Sequence, residues 1–232
     1  AGCDMFLFFN NIDEDYNFML NGYKNGIITE ERLQDALERI LGFKATLGLH
    51  KAQKDGSIFR TEEDLKVIGC EDHIERAKQA VDKGITLVKN TLDQLPIRPE
   101  THKRIRLYYL EGEKGGLLGD SDSLQTIVKE LESRGFEVTV NDGNTRVKGP
   151  TLKYREEVDA ALVFSNVVGY GAENNYRIKW KMAMSNEVPW YVHEVPTVFV
   201  SLNYTTHLTD VPMVKCYINA YKDTDITIKA VV

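Results

Sequence analysis

From residue 105 onward, short apolar runs alternate with segments whose apolar residues recur at helical spacing. The runs 105–110, 136–140 and 160–164 have the length and the aromatic or branched residues of strands that are buried on both faces. The first two runs are separated by one helical stripe of apolar residues, namely Leu124, Ile127, Val128 and Leu131. Strands that alternate with helices pack as a mostly parallel sheet with helices on both faces. We therefore predict an α/β (αβα) sandwich domain.

The remainder of the chain extends this alternation. Two further strands are predicted at 197–202 and 214–220, and a helix begins near residue 224. Asp120 is the expected N-cap of the helix that follows the first strand. Another helix, over 176–184, is predicted by aromatic and apolar residues that share one face: Tyr176, Trp180, Ala183 and Met184.

The first fifty residues are organised differently. Residues 5–9 are apolar and aromatic, which predicts a buried strand, although a parallel strand is unstable without neighbours. A short helix is expected over 13–21. Thr29 is a good N-cap for a second helix, which Gly42 is expected to end. The apolar stripe of this second helix comprises Leu33, Ala36, Leu37, Ile40 and Leu41.

The segment from 33 to 96 has the sequence of a join between two domains. Its first amphipathic helix is followed by a polar stretch over 50–70, which we interpret as a linker. A further amphipathic helix and a short strand at 85–88 come next. We therefore expect the α/β domain to occupy residues 71–232.

The bulk composition excludes several classes of protein. The formal net charge of -6 and the scattered basic residues lack the electrostatic footprint of a nucleic-acid-binding protein. No apolar run approaches the roughly 18 residues of a membrane-spanning helix, so no membrane span is predicted. The cysteines Cys3, Cys70 and Cys216 are odd in number and far apart, which favours a reduced cytoplasmic protein over a disulfide scaffold or a zinc ribbon.

The glycine-rich loop over 111–120 can be compared with phosphate-binding loops. Its glycines match neither G-x-G-x-x-G nor a Walker A sequence. Glu111, Glu113 and Asp120 would also repel a phosphate. We therefore disfavour a nucleotide-binding, flavodoxin-like domain, and we predict no cofactor.

The sequence also lacks the common metal and nucleophile motifs. The five histidines are not spaced as ligand pairs, so no metal site is predicted. Ser121 and Ser201 lie outside any G-x-S-x-G elbow. Cys216 alternates with its neighbours in an apolar strand, and we interpret it as a core residue rather than a nucleophile.

Carboxylates in or near loops are the remaining candidates for acid–base chemistry. Glycoside hydrolysis usually needs two carboxylates across the scissile bond. The residues considered are Glu111, Glu113, Asp120, Glu187 and Glu194. With 35 acidic residues in the chain, such positions arise by coincidence, and none is assigned a catalytic role. The aromatic residues over 174–196 would suit stacking on a sugar ring, but packing between elements explains them better.

Several segments together resemble the family 3 glycoside hydrolases. The start, AGCDMFLF, resembles the last strand of that family's barrel, and GIITEERLQDALERILGFKATLGL resembles its final barrel helix. AKQAVDKGITLVKN is similar to the beginning of the family's second domain. VPWYVHEVPTVFVSLNYTTHLTDVPMVKCYINAY is most similar to the bacterial β-N-acetylhexosaminidase branch, although SLNYTTHL departs from the asparagine-proline-tyrosine sequence often found there.

The resemblance implies a division of the chain. Residues 1–49 would be the last βα unit of a truncated (β/α)8 TIM barrel, 50–70 an interdomain linker, and 71–232 the C-terminal α/β sandwich domain. Enzymes of the family are retaining, with an aspartate nucleophile on a barrel strand and, in this branch, an aspartate–histidine pair as acid/base. Both motifs are expected upstream of Ala1, so no catalytic residue is assigned within this chain.

The implied function is the removal of β-linked N-acetylglucosamine from glycans such as cell-wall fragments, through the barrel and without a cofactor. Because barrel sites lie at the carboxyl ends of the strands, Phe9, Asn10 and Asn11 are the expected substrate-proximal residues. The chain alone is expected to be inactive. A second hypothesis remains open, namely a non-catalytic α/β module that binds a sugar or a partner.

Overall fold

A computed structural model describes residues 2–112, 122–143, 153–168 and 177–232. The chain divides into two compact units, Ala1–Ile68 and Gly69–Val232, hereafter the first and the second unit. Within the described ranges, no helix has the length and apolar character needed to cross a bilayer.

The described part of the first unit is helical. Its helices are α1 (Ile12–Lys24), α2 (Glu30–Thr46), α3 (Leu49–Asp55) and α4 (Glu62–Leu65). Helix α1 begins at Asn11, whose side chain accepts hydrogen bonds from the backbone N–H groups of Asp13 and Glu14. Thr29 caps α2 in the same way, as predicted. Ala36 is the only buried residue among those described in this unit.

The strand predicted over residues 5–9 is wrong. This segment is irregular, and Phe8 is 98% exposed with a φ of 59°. A parallel strand is stable only between neighbours, and the described residues of the first unit contain no other strand. The predicted end of α2 at Gly42 is also wrong. A glycine inside a helix costs only about 1 kcal/mol, and the helix continues for one more turn to Thr46.

The polar stretch over 50–70, interpreted as a linker, contains two short helical segments, namely most of α3 and all of α4. Thr61 and Asp64 form a capping box at the start of α4. Assignment of residues 1–49 to a barrel remains a prediction.

The second unit is built on a six-stranded sheet. Its strands are β1 (Thr86–Asn90), β2 (Arg104–Glu111), β3 (Glu137–Val140), β4 (Ala160–Asn166), β5 (Thr197–Ser201) and β6 (Cys216–Asn219). The spatial order is β1-β6-β5-β4-β2-β3, and all neighbours are parallel except β1, which runs antiparallel to β6. Its helices are α5 (Glu71–Gly84), α6 (Ser123–Ser133), α7 (Tyr154–Glu157) and α8 (Asp225–Val231). The predicted mostly parallel α/β fold is confirmed.

Successive residues of a strand face opposite sides of the sheet, and both sides of this sheet are covered. On one side, Ile105 of β2 packs in a core with Ile228 of α8. On the other, hereafter the tyrosine side, Tyr108 of β2 packs with Tyr154 of α7 and with Tyr191. Both faces of the sheet are therefore covered by apolar layers, and the polar residues that follow each strand lie at the ends of the strands.

The helix predicted over 176–184 is wrong where the structure describes it. Residues 177–182 are irregular, and a short 3-10 helix spans Ala183–Ser185. The buried carboxylate of Glu187 accepts hydrogen bonds from the backbone N–H groups of Lys181 and Met182. These donors are therefore satisfied without a helix. Tyr176 and the expected N-cap Asp120 lie outside the described residues.

Candidate functional site

The carboxyl ends of β2 and β4 mark the point where the order of the sheet reverses. Strand β3 lies on one side of β2, whereas β4, the next strand of the chain, lies on the other. In open α/β sheets, ligands bind in the crevice at such a reversal, outside the carboxyl ends of the strands. This edge of the second unit is therefore the candidate functional site.

Four polar side chains from separate segments meet at this edge. Asn166, the last residue of β4, donates from Nδ2 to the hydroxyl of Tyr109 (2.9 Å) and to Oδ2 of Asp223 (3.0 Å). Its Oδ1 accepts a hydrogen bond from Nδ2 of Asn203. We call Tyr109, Asn166, Asn203 and Asp223 the edge network. Each member is at least partly buried, so the network joins β2 and β4 to the segments that follow β5 and β6.

Ser201 and His207 anchor the loop that carries Asn203. The Ser201 hydroxyl donates to the carbonyl oxygen of Tyr204 (2.6 Å) and lies 3.0 Å from Nδ1 of His207. Oγ of Ser165 lies 3.3 Å from the same ring nitrogen. Ser165, Ser201 and His207 are all at most 1% exposed. This serine–histidine cluster therefore positions the loop and is closed to a substrate.

Gly112, directly after β2, permits a close approach between two segments at the edge. A Cβ at this position would lie 2.6 Å from the carbonyl oxygen of Val168 and 2.8 Å from its nitrogen. The Gly112 carbonyl also accepts a hydrogen bond from Nζ of Lys181 (2.9 Å). Only glycine allows the chain after β2 to pass the chain after β4 at this distance.

Sequence reasoning missed the edge network because its members lie far apart in the chain. The available signal was positional. Asn166 and Asn203 follow apolar strand residues closely, and the carboxyl ends of neighbouring parallel strands meet at one edge of the sheet. Tyr109 and Asp223 carried no comparable signal.

The predicted substrate-proximal residues Phe9, Asn10 and Asn11 lie together in the first unit and are exposed. The backbone N–H groups of Asn10 and Asn11 donate to Oδ2 of Asp15 (3.1 and 3.4 Å). Asn11 is also the N-cap of α1, which gives this side chain a structural role. The proximity of these three residues to a substrate remains a prediction.

The carboxylates considered from the sequence have different surroundings. Glu187 is buried and holds the backbone at residues 181 and 182. Glu194 pairs with Arg155 (Oε2 to Nε, 3.0 Å). Glu111 is the last residue of β2 and lies at the candidate edge, whereas Glu113 and Asp120 lie outside the described residues. Structural contacts thus account for Glu187 and Glu194, two of the five carboxylates considered from the sequence.

The described ranges contain no cluster of three or more histidine, cysteine or acidic side chains placed to hold a metal ion. Cys216 is fully buried in β6, and burial raises the pKa of its thiol to about 11. A nucleophilic cysteine needs a thiolate near neutral pH. The interpretation of Cys216 as a core residue is therefore confirmed.

The aromatic residues near 190 pack inside the second unit. The ring of Tyr191 stacks on those of Tyr108 (centroids 4.4 Å apart) and Tyr154 (5.5 Å), and Trp190 meets Tyr154 edge-on. Tyr191 is fully buried. For Tyr191, the prediction that these aromatic residues pack between elements rather than stack on a sugar ring is confirmed.

An apolar cavity of about 220 Å³ lies on the side of the sheet opposite the tyrosine side. All the side chains that line it are apolar, and Leu131, Phe136 and Val232 are examples. A sugar needs convergent polar groups to fix its hydroxyls. The edge network, with its amides, hydroxyl and carboxylate, remains the better candidate.

Comparison with known proteins places this geometry in context. No family model matches the sequence. The chain is 37% identical over 234 residues to a beta-N-acetylglucosaminidase/beta-glucosidase from Cellulomonas fimi, in an alignment that covers 99% of this chain and 41% of that enzyme. The chain thus spans less than half the length of this relative.

Solved structures of glycan-active enzymes, among them the following two, are also similar to the chain. A beta-glucoside phosphorylase bound to 2FGlc matches with a TM-score of 0.83 and 30% identity, over 99% of this chain and 40% of that chain. A glycoside hydrolase family 3 beta-N-acetylglucosaminidase from Paenibacillus sp. shares the fold, with a TM-score of 0.59 and 18% identity, over 92% of this chain and 38% of that chain. The chain is thus similar in sequence, along nearly all of its length, to the Cellulomonas fimi enzyme and to the phosphorylase, and it shares its fold with the family 3 beta-N-acetylglucosaminidase.

Proposed function

We propose that this chain is part of a retaining β-N-acetylglucosaminidase that removes β-linked N-acetylglucosamine from glycans such as cell-wall fragments. The observation that carries the proposal is the 37% identity, along 99% of the chain, to an enzyme named beta-N-acetylglucosaminidase/beta-glucosidase. Because the chain spans 41% of that enzyme, the activity in this proposal belongs to a longer polypeptide.

The apolar surface of the first unit supports the proposal that residues 1–49 are one βα unit of a barrel. Leu7 and Ile27 are 80% exposed and Phe8 is 98% exposed. Large exposed apolar surfaces mark places where a protein packs against further protein. In the proposed enzyme, other barrel strands bury these side chains and give residues 5–9 the neighbours that a strand requires.

The proposed catalytic groups belong to the rest of that barrel. Phe9, Asn10 and Asn11 would lie at the carboxyl end of the strand and line the sugar site. The 232-residue chain alone is accordingly expected to show no turnover.

A chromogenic assay on the whole gene product tests the proposal. We expect release of 4-nitrophenol from the N-acetyl-β-D-glucosaminide with a higher kcat/KM than from the β-D-glucoside. NMR of the first-formed sugar should show the β anomer, as retention requires. A preference for the glucoside would contradict the proposed sugar specificity. A first-formed α anomer would contradict the retaining mechanism. If neither substrate is cleaved, the proposal that the enzyme is a glycosidase is contradicted.

Phosphorolysis is a second candidate reaction. It is favoured by the TM-score of 0.83 to a protein named beta-glucoside phosphorylase, the highest among the structures compared above. Inorganic phosphate would then replace water as the acceptor, and the product would be a sugar 1-phosphate. Repeating the assay with and without phosphate separates the two reactions, since only phosphorolysis yields the sugar 1-phosphate in proportion to the nitrophenol released.

The non-catalytic module remains the alternative from a different class. If the second unit binds a sugar, the edge network is the described site with the required hydrogen-bonding groups. Titration of the chain with N-acetylglucosamine oligomers tests this alternative. Saturable binding that Asn203→Ala weakens would favour the module, and no saturable binding would leave the second unit a structural part of the enzyme.

The proposed compartment is the bacterial cytoplasm. Cys3, Cys70 and Cys216 are all free thiols, as is typical of proteins in a reducing compartment. Fractionation of the source cells with a β-N-acetylglucosaminidase assay tests this point, and activity confined to the culture medium or the periplasm would contradict it.

A further inference from the structure

Arg106 is a buried arginine with no carboxylate partner among the described residues. It lies on β2, and only 7% of its surface is exposed. Its Nη1 is fully buried and donates to no group in the described part of the chain. Charged side chains are almost never buried in this way unless they are paired, because a buried unpaired charge is strongly destabilising.

The strand geometry places Arg106 beside two phenols. Arg106 and Tyr108 lie two residues apart on β2, so their side chains leave the same face of the sheet about 7 Å apart. The hydroxyls of Tyr108 and Tyr154 are hydrogen-bonded to each other at 3.0 Å. One hydroxyl donates to the other, and the accepting hydroxyl keeps its own hydrogen for a further acceptor.

The electrostatics of the phenols agree with this placement. Burial raises the pKa of Tyr108 to about 12, and the nearby positive charge of Arg106 acts in the opposite sense. Burial also raises the pKa of Tyr154, again against the charge of Arg106. Both phenols are therefore neutral hydrogen-bond donors at physiological pH, and neither serves as a counter-ion.

Nearby charged groups do not supply the missing partner. Asp159 pairs with Arg104 (2.6 Å). In the described structure, no ion pair joins Arg106 to Glu187. Oε1 of Glu187 accepts from backbone N–H groups, and its buried Oε2 has no hydrogen-bond partner among the described residues. The register neighbours of Arg106 on β3 and β4 are Thr139 and Ala161, which are uncharged.

The sequence between β3 and α7 does not offer a counter-ion either. Residues 144–152 include Arg146 and Lys148 and no acidic residue.

We propose that Arg106, together with the hydroxyls of Tyr108 and Tyr154, binds a small monovalent anion, which is chloride under ordinary conditions. One negative charge neutralises the guanidinium, and the spare phenolic hydrogen supplies a second donor. Since only 7% of Arg106 is accessible, the approach is narrow. It suits a small spherical ion better than phosphate or sulfate.

Thermal unfolding of the full chain in chloride and in gluconate, at constant ionic strength, tests the proposal. Binding to the folded state alone raises the folding equilibrium constant by a factor of 1 + [Cl⁻]/Kd, about 11-fold at ten times Kd. We expect a saturable rise in the unfolding midpoint as chloride or bromide replaces gluconate. Phosphate and sulfate should give no larger rise than gluconate.

Two arginine variants of the same strand provide the comparison. Arg106→Met removes the guanidinium at similar length and should abolish the response to chloride. Arg104→Gln removes an arginine that has its own carboxylate and should keep the response. In chloride-free buffer, Arg106→Met should also lose less stability relative to the wild type than it does in saturating chloride.

Several outcomes would overturn the proposal. If the wild type has the same unfolding midpoint in chloride and in gluconate, the proposal is wrong, even if Arg106→Met fails to fold. A chloride response that survives in Arg106→Met assigns the ion to another place. A larger response to phosphate or sulfate contradicts the identity of the anion, and bromide located away from Arg106 by anomalous scattering contradicts the site.

Discussion

Asn166 and Asp223 are joined by a hydrogen bond of 3.0 Å from Nδ2 to Oδ2 at the carboxyl edge of the sheet. The same amide nitrogen donates to Tyr109, and the amide oxygen accepts from Asn203. A single side chain thus connects four segments that are remote in sequence. The edge at the reversal of strand order is held together by this amide, and its integrity depends on residue 166.

Replacement of Asn166 by alanine should therefore destabilise the second unit. The change leaves partly buried partners unsatisfied, at a cost of about 1–3 kcal/mol. Urea unfolding followed by near-UV circular dichroism measures the difference. Asn17→Ala is the control, because Asn17 makes one exposed hydrogen bond to the carbonyl oxygen of Asp13; its effect should stay within about 0.5 kcal/mol. Equal effects of the two variants would contradict the role of Asn166.

Gly112 offers a steric test of the same edge. Gly112→Ala places a Cβ 2.6 Å from the Val168 carbonyl oxygen, so the backbone must move and stability should fall by about 1–3 kcal/mol. The matched control is Gly42→Ala in α2, where a Cβ meets nothing within 4 Å. That variant should gain about 0.5–1 kcal/mol, since alanine is the better helix former. Thermal or urea unfolding of the two variants measures these changes. If Gly112→Ala leaves the free energy of unfolding unchanged, the close approach of Gly112 to Val168 is refuted.

The ion pair between Arg104 and Asp159 predicts how the stability of the fold decreases at acid pH. Hydrogen bonding to Arg104 holds the pKa of Asp159 below its usual range. A lowered folded-state pKa stabilises the fold above the unfolded value of about 4, and this stabilisation is lost as pH falls through the folded-state pKa.

Asp159→Asn should accordingly lower stability at pH 7 by about 1–2 kcal/mol, the magnitude for a hydrogen bond to a charged group at a partly exposed pair. The difference from the wild type should shrink below about pH 4. Unfolding measured from pH 2 to 7 tests this expectation, with Asp82→Asn on exposed α5 as the control. A difference that does not vary with pH would count against the ion pair.

The thiols should react in order of their exposure. Cys3 is exposed, Cys70 is intermediate and Cys216 is buried, and burial raises the pKa of Cys216 to about 11. Because the thiolate is the reacting species, an aromatic disulfide reagent at pH 8 should modify Cys3 first and Cys70 more slowly. Cys216 should react only after denaturation. Modification of all three thiols at similar rates in the native protein would contradict the burial of β6.

The strands of the second unit were predictable because burial on both faces dictates their residues. Runs such as 160–164 have no polar alternation, and the sheet places them between two apolar layers. Residues 5–9 have a similar composition and yet form no strand, since pairing depends on neighbours that local sequence does not report.

Contacts between remote residues account for the other differences. In the irregular stretch 177–182, backbone N–H groups donate to side-chain carboxylates in place of helical hydrogen bonds: Lys181 and Met182 donate to Glu187, and Ile178 donates to Asp210. The edge network likewise forms only when the sheet brings Asn166 beside Asp223. Neither arrangement leaves a periodic signal in the sequence, so pattern analysis predicts the elements and misses the side chains that connect them.

The most direct test of the central claim compares two proteins on one substrate. The whole gene product and the 232-residue chain are each assayed with 4-nitrophenyl N-acetyl-β-D-glucosaminide, against a heat-denatured control. We expect the whole product to cleave the substrate and the chain alone to match the control. Turnover by the chain alone would contradict the assignment of the catalytic groups to the rest of a barrel, and an inactive whole product would contradict the proposed glycosidase.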